Sequence, residues 1–275
     1  MDDDLTAWRD PDAHVAKLTL LVAVTLTAPG TAPAKRRGYY AEIVSYLVSR
    51  PRGVTTEQIA ADFWPEEAGT PQVAGRVRNA MSTTRIWLGK NPVTGADLLP
   101  LANVGANGVG LYRVRGVLVD AELFRRLRLR GVARGPGGIV DLQAALDLVT
   151  GAPLDQRRPG GYGWLVDTPL EHEYTAMIVD TAHLVATYHL ADGAPELAEQ
   201  AAHAALRAGA RDDIALLDLV AASDAAGNHS AADSYIARIL ANHEADVEED
   251  LPPRTYEVLR RRRWLPQDRN PARAS

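Results

Sequence analysis

Five polar side chains, Gln72, Arg76, Asn79, Ser82 and Thr83, recur at spacings of three and four in a segment with helical periodicity. At 100° per residue they share one face with Gly75, while Val73, Val77, Met81, Thr84 and Leu88 share the opposite one. The chemistry this set can do is recognition. A Gln or Asn amide pairs bidentately with the edge of adenine, a guanidinium pairs with guanine, and hydroxyls reach bases or phosphates. Around it, Arg36, Arg37, Arg78, Arg85, Asn107, Arg113 and Arg115 are candidates for holding phosphates. A solvated face on any amphipathic helix has the same pattern, so the elements that carry these residues decide between the two readings.

Those elements read as a winged helix-turn-helix. A helical pattern over 37–50 breaks at Pro51-Arg52-Gly53. A second helix opens at Thr55, whose spacing to Gln58 is that of a capping box, and runs to Trp64. An acidic loop, 65–69, follows. Thr70-Pro71 predicts an N-cap and a first-turn proline for the third helix, which bears the polar face and stops at Gly89. Two short strands, 97–102 and 111–115, joined by Gly105-Ala106-Asn107-Gly108-Val109-Gly110, make the wing, and Asn107-Gly108 suits a tight turn with positive φ. This glycine run has the order G-x-x-G-x-G and leads into a strand, so the helix N-terminus that would cradle a pyrophosphate is missing.

With 46% hydrophobic and 24% charged residues over 275 positions, the chain is an ordinary globular sequence long enough for two cores. It has no cysteine, which removes disulfides, thiolate nucleophiles and Cys-based zinc sites and suits a cytoplasmic location. The longest apolar run, 18–28, is too short to span a bilayer and reads as a buried strand, so no membrane contact is expected. The residues before it are acidic (Asp2, Asp3, Asp4, Asp10, Asp12), the opposite of a signal peptide's basic start. The overall charge of -5 is unevenly spread: 31–119 holds 11 basic and 6 acidic residues, whereas 120–275 holds 17 basic and 24 acidic. Positive charge thus gathers where phosphates would be met.

From residue 120 onward the pattern is helical: 121–134, 140–149, 169–190, 195–207, 213–225, 230–243 and 253–264. An offset of 34 residues aligns Ala191 with Ala225, Gly193 with Gly227, Ala198 with Ala232 and Leu206 with Leu240, the period of a tetratricopeptide repeat. Such helix pairs stack into a solenoid that binds protein surfaces or peptides. The loop 151–168 interrupts the regularity, and Trp164 is expected to pin it to the solenoid. The run Arg260 to Arg263 complements the dipole at the end of the last helix. The expected fold class is therefore mainly α with a small β component. Its expected parts are an acidic tail (1–14), a winged helix-turn-helix domain (15–119), a tetratricopeptide-like domain (120–265) and a C-terminal tail (266–275).

Several short stretches carry a family resemblance. They are Phe63-Trp64, Arg85 with Leu88-Gly89, Leu111-Tyr112, Val119-Asp120 with Phe124, and Gly151-Ala152-Pro153-Leu154 with Trp164 and Glu171 to Glu173. In this order they make the chain resemble the Streptomyces antibiotic regulatory protein family over roughly 15–265, with the second half similar to its bacterial transcriptional activator domain. The resemblance implies a transcription activator that binds direct repeats in double-stranded DNA near promoters and recruits RNA polymerase, with no catalytic activity and no cofactor. Contact with another protein through the helical half, or a homodimer, is a further expectation. The sequence departs from the family at Thr83 and Ile86, where members tend to be basic. That departure keeps a second reading open, a protein- or ligand-binding adaptor whose winged helix is a degenerate scaffold.

Enzymatic readings find little support. The histidines His14, His172, His183, His189, His203, His229 and His243 show no metal-binding spacing, and no metal is expected. Glu171-His172-Glu173 is a tight cluster, but adjacent helical residues do not share a face. Neither a G-x-S-x-G elbow nor a P-loop is present.

Overall fold

The structure is a computed structural model that describes residues 3–104, 110–209 and 212–264. It is mainly helical with a small β component: a winged helix-turn-helix followed by an all-α, tetratricopeptide-like region. The chain forms two compact units, one of residues 1–129 with 148–174 and one of 130–147 with 175–275.

The first unit begins with α1 (Asp3–Arg9), so the acidic start is partly helical. The apolar run expected as one strand is a hairpin. Strand β1 (Lys17–Thr19) pairs antiparallel with β2 (Thr25–Thr27), Leu18 opposite Leu26. The Thr19 hydroxyl closes the turn, accepting from the Thr25 N–H and donating to the Ala23 carbonyl. This side chain supplies the turn chemistry that no Gly or Pro signals.

Helix α2 (Arg37–Val48) lies on the sheet and buries Ile43, Val44, Tyr46 and Leu47. Helix α3 (Thr56–Phe63) opens on the expected capping box, with both Thr55–Gln58 hydrogen bonds present. Helix α4 (Pro71–Leu88) buries all five residues assigned to its core face, and Ala80 and Trp87 as well. Gly89 ends it at φ +71°, in the left-handed region. Gly30 lies directly beneath that end: a Cβ there would sit 2.1 Å from the Ile86 carbonyl oxygen, so only glycine fits.

The wing departs from expectation in register. Its paired strands are β3 (Asn103–Val104) and β4 (Gly110–Leu111), both shorter than expected: β3 lies beyond 97–102, and β4 begins one residue before 111–115. Leu98 and Leu99 are buried instead, and Tyr112 pairs with Val54 ahead of α3. Burial of two consecutive leucines breaks the alternation a half-exposed strand requires. Strand β5 (Leu118–Val119) then runs parallel to β1 and completes a sheet of order β2-β1-β5.

Helix α5 (Asp120–Ala133) starts directly after β5, and its Asp120 carboxylate accepts the N–H groups of Leu20 and Leu21 at 2.7 and 2.9 Å. Helices α6 (Ile139–Leu146) and α7 (Leu170–Ala191) precede the repeats, α8 (Pro195–Arg207), α9 (Asp213–Ala225), α10 (His229–Asn242) and α11 (Pro253–Trp264). In the second unit α9 packs against α8, α10 and α11. Residues paired by the 34-residue offset occupy equivalent places. Gly193 and Gly227 both turn at positive φ, Ala198 and Ala232 are fully buried, and Leu206 and Leu240 are half-buried. Leu216, Leu219, Val220, Ile239, Leu251 and Leu259 fill the core between these helices.

Candidate nucleic-acid interface

The face of α4 opposite its buried stripe is solvent-facing over most of its length: Gln72, Arg76, Asn79 and Ser82 are exposed, and Thr83 is half-buried. Four of the five proposed base readers thus lie open along one line, and the helix under them is fixed by a packed core. Thr83 turns back onto its own helix, its hydroxyl donating to the Asn79 carbonyl at 3.2 Å. Ile86, on the same side one turn further, is 59% exposed.

Sequence and structure differ at the start of this helix. Thr70 has the extended backbone of an N-cap, but its side chain caps nothing. Its hydroxyl donates instead to the Glu67 carbonyl at 2.8 Å, and its N–H donates to the same oxygen at 3.1 Å. Glu67 ends the 3-10 turn Pro65–Glu67, and its carboxylate forms an ion pair of 2.5 Å with Arg76. Both side chains remain about half exposed.

The phosphate candidates separate into groups. Arg36, Arg37 and Arg78 are exposed, as are Arg113 and Arg115 beyond the wing. Arg36 holds the N-cap of α2 at φ 60°, and the Arg37 Nε donates to the Pro33 carbonyl. Arg85 is committed within the fold: its Nε donates to the Leu99 carbonyl at 2.7 Å and one terminal nitrogen donates to Pro100 at 3.3 Å. It ties α4 to the segment before the wing. Asn107 lies outside the described residues.

Two further exposed cations were passed over by sequence reasoning. Lys35 is exposed beside Arg36 and Arg37, and the run Lys35-Arg36-Arg37 was its signal. Arg52 is exposed on the turn after α2, next to Gly53. A Cβ on Gly53 would lie 3.6 Å from that of Arg113, so turn and wing base are adjacent.

The loop expected to be pinned to the solenoid is pinned elsewhere. Trp164, in the 3-10 turn Gly163–Leu165, meets Tyr46 of α2 edge-on at 5.4 Å. The Arg50 guanidinium lies 3.8 Å over the Tyr46 ring and pairs with Asp62. Buried Glu42 accepts the Tyr162 N–H and pairs with Arg158. The Leu154 N–H donates to the Leu20 carbonyl, and the Val24 N–H to that of Asp155. Residues 148–174 therefore brace α2 and the β1–β2 hairpin. Burial pushes the Tyr39 and Tyr162 hydroxyls up to about 12, so they stay neutral.

Glu171, His172 and Glu173 are all exposed, and Glu171 pairs with Arg157. Among the described residues no group of three or more His, Asp or Glu side chains is arranged to hold a metal. No helix among them is long and apolar enough to cross a membrane.

No protein-family model and no curated protein matches this chain. Among solved structures, Mycobacterium tuberculosis EmbR in complex with a low-affinity phosphopeptide aligns with 92% of it, at a TM-score of 0.65 and 20% identity. The fold is similar to that of EmbR. The chain spans 66% of the EmbR chain's length. At this identity the likeness concerns architecture: a small-sheet winged helix followed by a helical region.

Proposed function

We propose that this chain is a sequence-specific DNA-binding transcriptional regulator, an activator, working in the cytoplasm. The observation that carries the reading is α4 itself. One face is wholly buried, and the other presents Gln72, Arg76, Asn79 and Ser82 to solvent with Arg78 on the flank. These are the donor and acceptor types that distinguish base pairs in the major groove. Lys35, Arg36, Arg37, Arg52, Arg113 and Arg115 supply phosphate contacts. The EmbR-like fold and the resemblance to the Streptomyces antibiotic regulatory proteins support the same reading. The helical region then contacts RNA polymerase or a second copy of the chain. No step of this function needs a catalytic group or a cofactor.

A second reading, a protein- or ligand-binding adaptor with a degenerate winged helix, is favoured by the opposed carboxylate on Arg76, the internal engagement of Arg85 and the exposed Ile86. Selection from a random duplex DNA pool separates the two. The regulator enriches a motif that disappears in the Arg76→Ala/Asn79→Ala double variant. A folded protein that enriches nothing supports the adaptor.

A further inference from the structure

The contact between Glu67 and Arg76 puts a carboxylate on the face that would meet DNA, where negative charge weakens binding to phosphates. Its geometry gives that carboxylate a use. One Glu67 oxygen pairs with one terminal nitrogen of Arg76. Among the described residues no partner is recorded for the other terminal nitrogen or for Nε, and these two N–H groups form the side edge of the guanidinium. Bidentate reading of guanine O6 and N7 needs two parallel N–H donors, which that edge supplies.

Glu67 is itself held. Thr70 binds the Glu67 carbonyl through both its hydroxyl and its N–H. The Ala68 and Glu67 N–H groups donate back to Pro65 and Trp64. A threonine in the N-cap position ordinarily turns its oxygen to the helix's own N–H groups. Here it leaves them and clamps the residue that grips Arg76. Thr70, Glu67 and Arg76 thus form a chain of contacts from backbone to reading face.

We propose that Glu67, steadied by Thr70, is a positioning residue that fixes the Arg76 guanidinium so that its remaining edge reads a guanine. The proposal rests on the DNA-binding reading above. A long arginine loses rotamer freedom when it reads a base, and a fixed ion pair removes much of that loss beforehand. Specificity gains by this and non-specific affinity is lowered, because the carboxylate repels every phosphate alike.

The test measures binding of the whole chain to its selected duplex and to a scrambled duplex, by fluorescence anisotropy at two salt concentrations. Glu67→Ala is expected to tighten binding to scrambled DNA, through loss of a negative charge. It is expected to weaken binding to the selected site, so that the ratio of the two affinities falls about tenfold. Glu67→Gln, which keeps an acceptor for the guanidinium, restores most of the ratio. Thr70→Val lowers the ratio in the same direction, and Thr70→Ser preserves it. In the Arg76→Ala background Glu67→Ala leaves the ratio unchanged. Thermal unfolding midpoints that match the parent exclude a merely structural cause.

A Glu67→Ala protein that binds both duplexes more tightly by the same factor overturns the proposal, because the carboxylate is then only a mask over Arg76. If the parent discriminates between the duplexes and Glu67→Ala discriminates equally well, the proposal fails and the DNA-binding reading stands. If the parent itself selects no sequence, both fall together.

Discussion

Asn79 and Asp120 show how differently two polar residues serve this molecule. Asn79 is exposed on α4 and supports nothing in the core, so its loss is expected to leave folding intact. Asn79→Ala should weaken binding to the selected duplex by ~1–3 kcal/mol and relax the preference at one base pair, with scrambled DNA bound as before. Equal losses on both duplexes, read by anisotropy, would remove Asn79 from the base-reading set. Asp120 is 1% exposed and holds the backbone of Leu20 and Leu21 to the start of α5. Burial outweighs its N–H donors and pushes its carboxyl up to about 6. In the unfolded chain an aspartate titrates near ~3.9. Between these values the folded protein binds the proton and the unfolded chain does not, so this group's contribution to stability falls as pH rises through that window. Asp120→Asn removes the titration. Its stability deficit against the parent, from urea unfolding, is therefore expected to be larger near pH 4 than near pH 7, by on the order of 2 kcal/mol. A deficit independent of pH would mean that the donors, not burial, set the group's charge.

At the scale of elements, the helices were legible and the pairings were not. Helix α4 could be read to the residue because Thr70-Pro71 and Gly89 punctuate it and Val73, Val77, Met81, Thr84 and Leu88 repeat with its period. The 34-residue echo likewise fell on equivalent turns, with Gly193 just before α8 and Gly227 just before α10. The hairpin of β1 and β2 was hidden because its turn is closed by a threonine hydroxyl and its strands are only three residues each. The wing strands slipped because Leu98 and Leu99 are both interior, a tertiary demand that local alternation cannot express. The ion pair of Arg76 with Glu67 joins residues nine apart across a turn, so helical spacing gave no sign of it. Trp164 was recognised as an anchor, but its mooring on Tyr46 lies more than a hundred residues back and no periodicity points there. That mooring is open to test. Trp164 is 6% exposed against Tyr46 and Tyr162, and its removal leaves a cavity the size of an indole. Trp164→Ala should cost ~3–5 kcal/mol in denaturant unfolding of the first unit. Trp8, only half-buried although equally aromatic, offers a control: Trp8→Ala should cost well under half as much. A Trp164→Ala protein as stable as the Trp8→Ala control would show that the loop is not anchored by its indole.

At the scale of the whole chain, the first compact unit is not contiguous in sequence. It takes residues 1–129, omits 130–147 and takes back 148–174. The returning segment supplies Leu154, Arg158, Tyr162 and Trp164, each bonded or stacked on residues of the first stretch. Glu42 makes the consequence concrete. It is 2% exposed, and both of its partners, the Arg158 guanidinium and the Tyr162 N–H, come from the returning segment. Without them an unpaired carboxylate would stand in the apolar surface of α2 beside the fully buried Tyr46 ring. A chain ending at residue 129 keeps all three helices and the wing, so a reading by motif alone expects it to fold and bind DNA as the full protein does. The packing predicts otherwise. The truncated chain should bind a hydrophobic dye such as ANS and unfold at a lower urea midpoint than the first unit of the full chain. That unit can be followed separately, because four of the five tryptophans (Trp8, Trp64, Trp87 and Trp164) belong to it. Of these, Trp8, Trp64 and Trp87 remain in the truncated chain as reporters. Its DNA affinity should fall together with its folded fraction and not with its charge, since every proposed reader and phosphate cation is retained. A truncated chain that matches the full protein in dye binding, midpoint and affinity would show that 148–174 only lies on this unit and that the reading face is held by its own three helices.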